Sequence, residues 1–194
     1  PAGPARLRSP LIGGYNLDNA LVALGLGLGL GVPLEQALLG LAGCRGAPGR
    51  LELVEVPGVP GPTVVVDYAH TPDAVGRALE AVRPACRGAL WIVLGCGGDR
   101  DPSKRAPMGR IAAATADHMI ATSDNPRTEQ PAAIVAQMLT GVAPEHRPRV
   151  LEVVDRAAAI AHAIAAADAG DVVLIAGKGH EDYQILGTTK IHFD

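Results

Sequence analysis

The 194-residue sequence is poor in aromatic residues, with one Trp, three Tyr and one Phe, so stacking platforms for single-stranded nucleic acid are not expected. It also lacks a basic excess. Seventeen Lys and Arg against twenty Asp and Glu give a formal charge of −3, without the electrostatic footprint of a phosphate-backbone binder. Its three cysteines (Cys44, Cys86 and Cys96) are odd in number and show neither CxxC nor zinc spacing. A disulfide framework or structural zinc site is therefore not expected, and a reducing cytoplasm is the expected setting. The longest uncharged stretch, Asn19–Leu34, is Gly-rich, contains Pro33 and falls short of the roughly 20 residues needed to cross a bilayer. Around Pro1–Pro10 there is no apolar signal core, so no secretion signal is expected. A complete GxxxxGK[ST] phosphate loop and a serine or cysteine elbow are missing as well.

What is abundant is small and apolar. Residues of the AVILMFWYC class make up 48% of the chain, enough for a buried core, and 24 Gly with 16 Pro punctuate it as turns. From Asn16 to Gly43, Leu24, Leu26, Leu28 and Leu30 alternate with glycines as a strand would. The flanking residues favour a helix, because Leu17, Ala20, Leu21 and Leu24 share a helical face. A second helix is expected over 34–41. The Gly-Leu run does not have GxGxxG spacing.

Beyond Pro48 the pattern changes. Strand-like runs at 51–56, 63–66, 90–94, 118–122, 150–154 and 172–176 alternate with helical patterns at 73–82, 107–116, 131–139 and 155–167. That alternation predicts βαβ units: a Rossmann-like, open, mostly parallel α/β sheet of about six strands with helices on both faces. A boundary near Pro48 would separate it from a small helical piece.

Open α/β sheets bind ligands beyond the carboxyl ends of their strands. Four such ends run into Asp67–Asp73, Gly95–Asp101, Ser123–Arg127 and Gly177–Asp182, all rich in Gly or in charges of both signs. Arg100 and Arg127 offer planar forks for carboxylates, and Asp124 and Glu181 could hold an ammonium. The charges suggest a zwitterionic ligand. Taken alone, Asp99–Arg100–Asp101 reads equally well as a solvated turn with an internal salt bridge. His70 beside Asp67 could be an acid–base pair, though such a turn is more often structural. His118, His146, His162 and His192 lack metal-ligand spacing.

Six ordered motifs then carry a resemblance: Asn16–Ala20, GRLE (49–52), DYAHTPD (67–73), GCGGDRDPSKR (95–105), SDNPRTE (123–129) and GKGHEDYQ (177–184). Together they resemble the C-terminal part of a Mur ligase, in the tripeptide-synthetase branch of peptidoglycan synthesis. The resemblance covers essentially the whole chain. It implies an ATP-dependent amide-bond ligase that uses ATP and Mg2+ when complete. Its substrates would be ATP, a UDP-linked muramoyl dipeptide and an amino acid, which the DNPR sequence marks as meso-diaminopimelate rather than L-lysine. By the same resemblance Arg100, Asp124, Asn125, Pro126, Arg127, Gly177 and Glu181 would bind diaminopimelate, with Arg100 and Arg127 facing carboxylate and Gly177 and Glu181 the ammonium end. Asn19, Arg50, Asp67 and His70 would contact ATP, while Lys104 and Arg105 have no assigned role.

The resemblance also implies that residues 1–47 are a remnant of a central ATPase domain and 48–194 the amino-acid-binding domain, slightly short at its end. The UDP-binding domain, the P-loop and the magnesium-organising lysine of the family have no counterpart in this sequence. Neither a catalytic residue nor a metal ligand is expected in it, and the piece should be inactive by itself. The expected protein is a cytoplasmic monomer acting on small molecules, with no nucleic-acid or membrane partner. The alternatives are an L-lysine-adding homologue and a non-catalytic amino-acid- or nucleotide-binding module.

Overall fold

A computed structural model describes residues 4–54 and 60–193. The chain divides into two compact units, Pro1–Ala47 and Pro48–Asp194. The first contains helices α1 (Gly14–Gly29) and α2 (Leu34–Ala42). The Gly-Leu alternation is thus helical, and because a period of two winds around a helix it puts Leu24 and Leu28 on one side and Leu26 on the opposite one. Ala20 is the one buried residue of the two helices, and Leu21, Leu26 and Leu30 are exposed. No described helix is long and apolar enough to cross a membrane.

The second unit is built on a six-stranded sheet in the order β1-β2-β6-β3-β4-β5. Its strands are β1 (Glu52–Val54), β2 (Thr63–Asp67), β3 (Leu90–Cys96), β4 (His118–Ser123), β5 (Val150–Glu152) and β6 (Val172–Ala176). All neighbours are parallel except β1, which pairs antiparallel with β2. The expected mostly parallel, open six-stranded sheet is therefore present. Positions 55 and 56 of the first expected strand lie outside the described residues. The fifth strand ends at Glu152, two residues earlier than the apolar pattern suggests.

Helices α3 (Pro72–Val82), α4 (Arg105–Thr115) and α5 (Pro131–Leu139) pack side by side, and α6 (Arg156–Ala166) covers the other face. Local chemistry sets their starts. Thr71 Oγ1 accepts the Ala74 amide N–H at 3.3 Å, with Pro72 in the first turn, and Asp155 Oδ1 accepts from Ala158 N at 2.8 Å. Helix α4 begins two residues before the expected position, because the 3-10 turn Pro102–Lys104 leads straight into it. Val75, Ala78, Leu79 and Val82 form the fully turned-in stripe of α3. On the opposite face Ala159 and Ala163 let α6 settle against Val93, Ile120 and Val173.

The strand order is what builds a site. The chain runs from β2 past one position to β3, then outward to β4 and β5, and returns through α6 to place β6 between β2 and β3. The loop after β6 is thereby inserted between the loops after β2 and β3. After it, a two-stranded hairpin of β7 (Tyr183–Leu186) and β8 (Thr189–His192) closes the described chain. No strand was expected there.

Candidate functional site

A cavity of about 470 Å3 opens at the carboxyl ends of the strands, lined by Arg100, Asp124, Asn125, Arg127, Gly177 and Glu181 among others. Six of the seven residues expected to meet an amino acid therefore share one cavity. Pro126 is buried and is not in the lining. Its carbonyl instead comes so close to Gly98 that a Cβ there would lie 1.9 Å from the oxygen, so only glycine allows the two loops to approach.

The acidic end of the cavity already holds an ammonium, that of Lys178. This buried side chain places Nζ 3.2 Å from Asp124 Oδ1, 3.2 Å from Asn125 Oδ1 and 3.5 Å from Glu181 Oε2. Asn125 is a strut in this network. Its Oδ1 also accepts from Ile185 N at 2.9 Å, and its Nδ2 donates to Glu181 Oε2 at 3.0 Å. A ligand ammonium would thus meet Glu181 as a carboxylate held in place by this chain's own cation and amide. Beneath lies Arg156, wholly buried, donating to Ala176 O at 2.9 Å and Ser123 O at 3.4 Å. Burial pushes its guanidinium pKa down, while Asp124 and Glu181 push the other way, and its Nε has no hydrogen-bond partner among the described residues.

The basic end carries Arg100 and Arg127. Arg100 is exposed at the mouth. Arg127 has a left-handed backbone, φ +50°, and donates Nη1 to Gly98 O at 2.8 Å and Asn125 O at 3.3 Å. Guanidinium groups so fixed at one corner keep further N–H donors for a ligand carboxylate. Arg105 is not a competitor for that ligand. It is buried and committed to Glu129 through Nη1 and Nη2, each at 2.8 Å, to Gln137 Oε1 at 2.7 Å and to Gly97 O at 3.1 Å. This hydrogen bonding, with the Asp99 N–H, holds the Glu129 carboxyl down at about 2 and raises the Arg105 pKa. Asp99 binds Thr128 through both its backbone N–H and hydroxyl, so the tripeptide Asp99–Asp101 ties two loops together and is more than a solvated turn.

Cys96 also lines the cavity, packed by Met108 and Met138, and burial raises its thiol pKa to about 12. As a protonated thiol it is a poor nucleophile. The cavity is therefore equipped to recognise a molecule with carboxylate and ammonium groups, and supplies no activated nucleophile from that cysteine.

A second group borders the same cavity, whose lining also includes Tyr68 and His70. The Arg50 guanidinium sits 4.8 Å over the Tyr68 ring, which also meets His70 and His180 with centroids at 4.7 and 5.5 Å. His70 Nδ1 is 2.7 Å from Tyr68 O. Exposed Arg50, His70 and His180 around the half-buried Tyr68 ring suit a nucleotide, with a ring to stack on and donors for phosphate. Asp67 is spent internally, since its two oxygens accept from Leu51 N at 2.9 Å and Ala69 N at 2.8 Å. That brace holds the 49–51 turn, where a Cβ on Gly49 would fall 2.1 Å from His180 N. Asn19 is on α1 in the first unit, where its Nδ2 is 3.4 Å from Asn16 Oδ1. Among the described residues no three His, Cys, Asp or Glu side chains gather to hold a metal.

Lys178, Gln184, Arg105 and Arg156 are the functional-site residues that reading the sequence left without a role. The first two fall inside the GKGHEDYQ motif, but only the strand order brings them against Asp124.

An open, mostly parallel sheet with a bipolar crevice at a switch in strand order is the arrangement in which α/β domains hold their ligands. Comparison with known proteins narrows that class. Residues 49–179 match the family model described as Mur ligase, glutamate ligase domain. The chain belongs to the Mur ligase family. It is 56% identical over its whole length to 38% of the UDP-N-acetylmuramoyl-L-alanyl-D-glutamate–2,6-diaminopimelate ligase of Synechococcus elongatus, and 55% identical to 39% of the enzyme of that name from Gloeobacter violaceus. A solved structure of a ligase of the same name superimposes with a TM-score of 0.75 at 41% identity, covering 97% of this chain and 38% of that one. A folylpolyglutamate synthase from Thermotoga maritima shares the fold, with a TM-score of 0.65 at 24% identity over 87% of this chain and 37% of its own. The chain spans about two fifths of the length of the curated relatives it matches.

Proposed function

We propose that this chain is the amino-acid-recognising part of an ATP-dependent ligase that joins meso-diaminopimelate to UDP-N-acetylmuramoyl-L-alanyl-D-glutamate. The observation that carries this reading is the bipolar cavity, with Arg127 and Arg100 at one end and Glu181, buttressed by Lys178, at the other. Diaminopimelate has a carboxylate and an ammonium at its far end where lysine has an ammonium alone, so a cavity that offers guanidinium groups as well as Glu181 favours the former. The relatives' names support the same assignment. Residues 1–47 are read as the end of the central ATPase domain and 48–194 as the amino-acid domain. Arg50 and His70 would face ATP, with Asp67 bracing the turn that carries Arg50, and Asn19 would approach it from the central domain.

In that reaction the ATP γ-phosphoryl group passes to the dipeptide carboxylate, releasing ADP. The amine of diaminopimelate attacks the acyl phosphate, an amide forms and phosphate leaves. Mg2+ would neutralise phosphate charge in the complete enzyme. This chain's residues bind and orient the incoming amino acid so that its amine is presented to the acyl phosphate, and take no part in bond making themselves. The same reading places the enzyme in the cytoplasm as a monomer acting on small molecules.

The test is made in the complete ligase, with diaminopimelate and L-lysine as competing substrates. Diaminopimelate should be preferred. Arg127→Ala should raise its KM by about tenfold or more, the loss expected when one partner of a desolvated charge pair is removed, with the KM for ATP within about twofold. Preference for lysine, or equal losses for both substrates, overturns the assignment.

A further inference from the structure

We propose that Gln184, with the β7–β8 hairpin that carries it, is a positioning residue that sets the site's selectivity for its amino acid. This rests on the reading of the site as a diaminopimelate pocket. The loop Ser123–Arg127 holds three of the groups that would touch the ligand, and the hairpin grips that loop nearly residue by residue. Gln184, itself buried, donates Nε2 to Asp124 O at 2.6 Å and to Ser123 Oγ at 3.2 Å. Ile185 N donates to Asn125 Oδ1 at 2.9 Å. Arg127 N donates to Ile185 O at 3.1 Å, and Gly187 N returns a bond to Arg127 O at 2.8 Å.

Three features give this grip a purpose beyond stability. Arg127 is a non-glycine residue at φ +50°, a conformation that persists only where its surroundings enforce it. Its two backbone bonds to the hairpin are that enforcement, and they decide where the guanidinium begins. Second, the hairpin contributes little to the apolar core: β8 is exposed along its whole length, as are Leu186 and Ile191. Third, the hairpin also borders the acidic end, with the Tyr183 ring 5.5 Å from Lys178 Nζ. One element thus fixes the guanidinium and the carboxylate ends relative to each other. A ligand charged at both ends reads that separation, whereas ATP, on the Arg50–Tyr68 side, does not.

Gln184 is the point at which to break the frame, since its bond to the Asp124 carbonyl needs an N–H. In the complete ligase, Gln184→Glu keeps the shape, removes the donor and turns an oxygen toward the Asp124 carbonyl. Gln184→Met removes the bonds without repulsion. Wild type is assayed first with diaminopimelate and L-lysine. Failure to prefer diaminopimelate overturns the functional reading, and this proposal with it. Given that preference, variants that melt with the wild type should raise the KM for diaminopimelate by about tenfold or more, Glu above Met, because small displacements of orienting groups are costly. Their KM for ATP and their kcat should stay within about threefold. A diaminopimelate KM within about twofold of wild type in both variants overturns the proposal alone. So does a parallel rise for both substrates, or a loss of folding in both, which would make the hairpin merely structural.

Discussion

The two units of the chain dispose of their apolar surface in opposite ways. In the sheet unit, Val75, Leu79, Leu90, Ile92, Leu94 and Leu174 have no accessible surface at all. In the helical unit, α1 and α2 are as rich in leucine, yet Leu26 is 65% and Leu30 85% exposed. Both regions have the composition of a core, and only one has been given the partners to make one. Exposed apolar surface on this scale marks an interaction face in general. The difference teaches that helical pattern fixes local structure in both units, while the energy of folding is concentrated in the second.

The comparison breaks if the sheet unit tolerates a void. Leu79 is the largest aliphatic side chain turned in from α3, so Leu79→Ala should cost about 2–5 kcal/mol in chemical denaturation of this chain, the transfer loss plus the cavity left behind. A cost below about 1 kcal/mol would mean that α3 is not packed as described.

Much of the sheet unit was legible for the same reason that Leu79 matters. Continuous apolar runs such as Val172–Ala176 have no other home than a strand covered on both faces, and they appear as expected. The start of α3 was legible to within a residue from its apolar face alone, and Thr71 with Pro72 is the cap that fixes it in the structure. The hairpin was not legible, because Tyr183–Leu186 and Thr189–His192 are short, the second is exposed throughout, and neither shows a buried apolar alternation. A weak signal existed in Gly187, with φ +61° in a two-residue turn, the place where hairpins favour glycine. At the site, charged loops at strand ends were readable one at a time. Lys178 against Asp124 and Arg156 beneath both loops were not, because these contacts depend on β6 entering between β2 and β3, an order that no local pattern encodes.

A subtler contrast lies within the sheet unit, between side chains offered to a ligand and those locked behind them. Glu129 belongs to the second kind, with its carboxyl held at about 2 against an ordinary 4.5, chiefly by Arg105 and then by the Asp99 N–H. A lowered folded pKa means that the unfolded chain takes up the proton first as pH falls. The stabilisation is complete above about 4.5 and is lost progressively down to about 2. Glu129→Gln should therefore lower the melting temperature at pH 7, and the gap to wild type should close as pH falls through that window. A gap that stays constant down to the acid end would mean that the ion pair is not what Glu129 contributes.

The smallest effect is expected in the helical unit, and it sharpens the opening contrast. Leu26 lies on α1 with about two thirds of its surface exposed, so Leu26→Ser removes little buried area and leaves no cavity. Serine is a somewhat weaker helix former than leucine, a difference of a few tenths of a kcal/mol. The stability of this chain should change by no more than about 0.5 kcal/mol, as at other exposed positions. The same substitution removes a large apolar group from a helix that the functional reading makes part of a central domain, whose remaining residues would cover that face. In the complete ligase its cost should then approach that of a core truncation, about 2 kcal/mol or more, read as a fall in denaturation midpoint. Equal and small losses in both proteins would show that α1 keeps an exposed face throughout, and that the leucines of the helical unit are surface residues in the whole enzyme too.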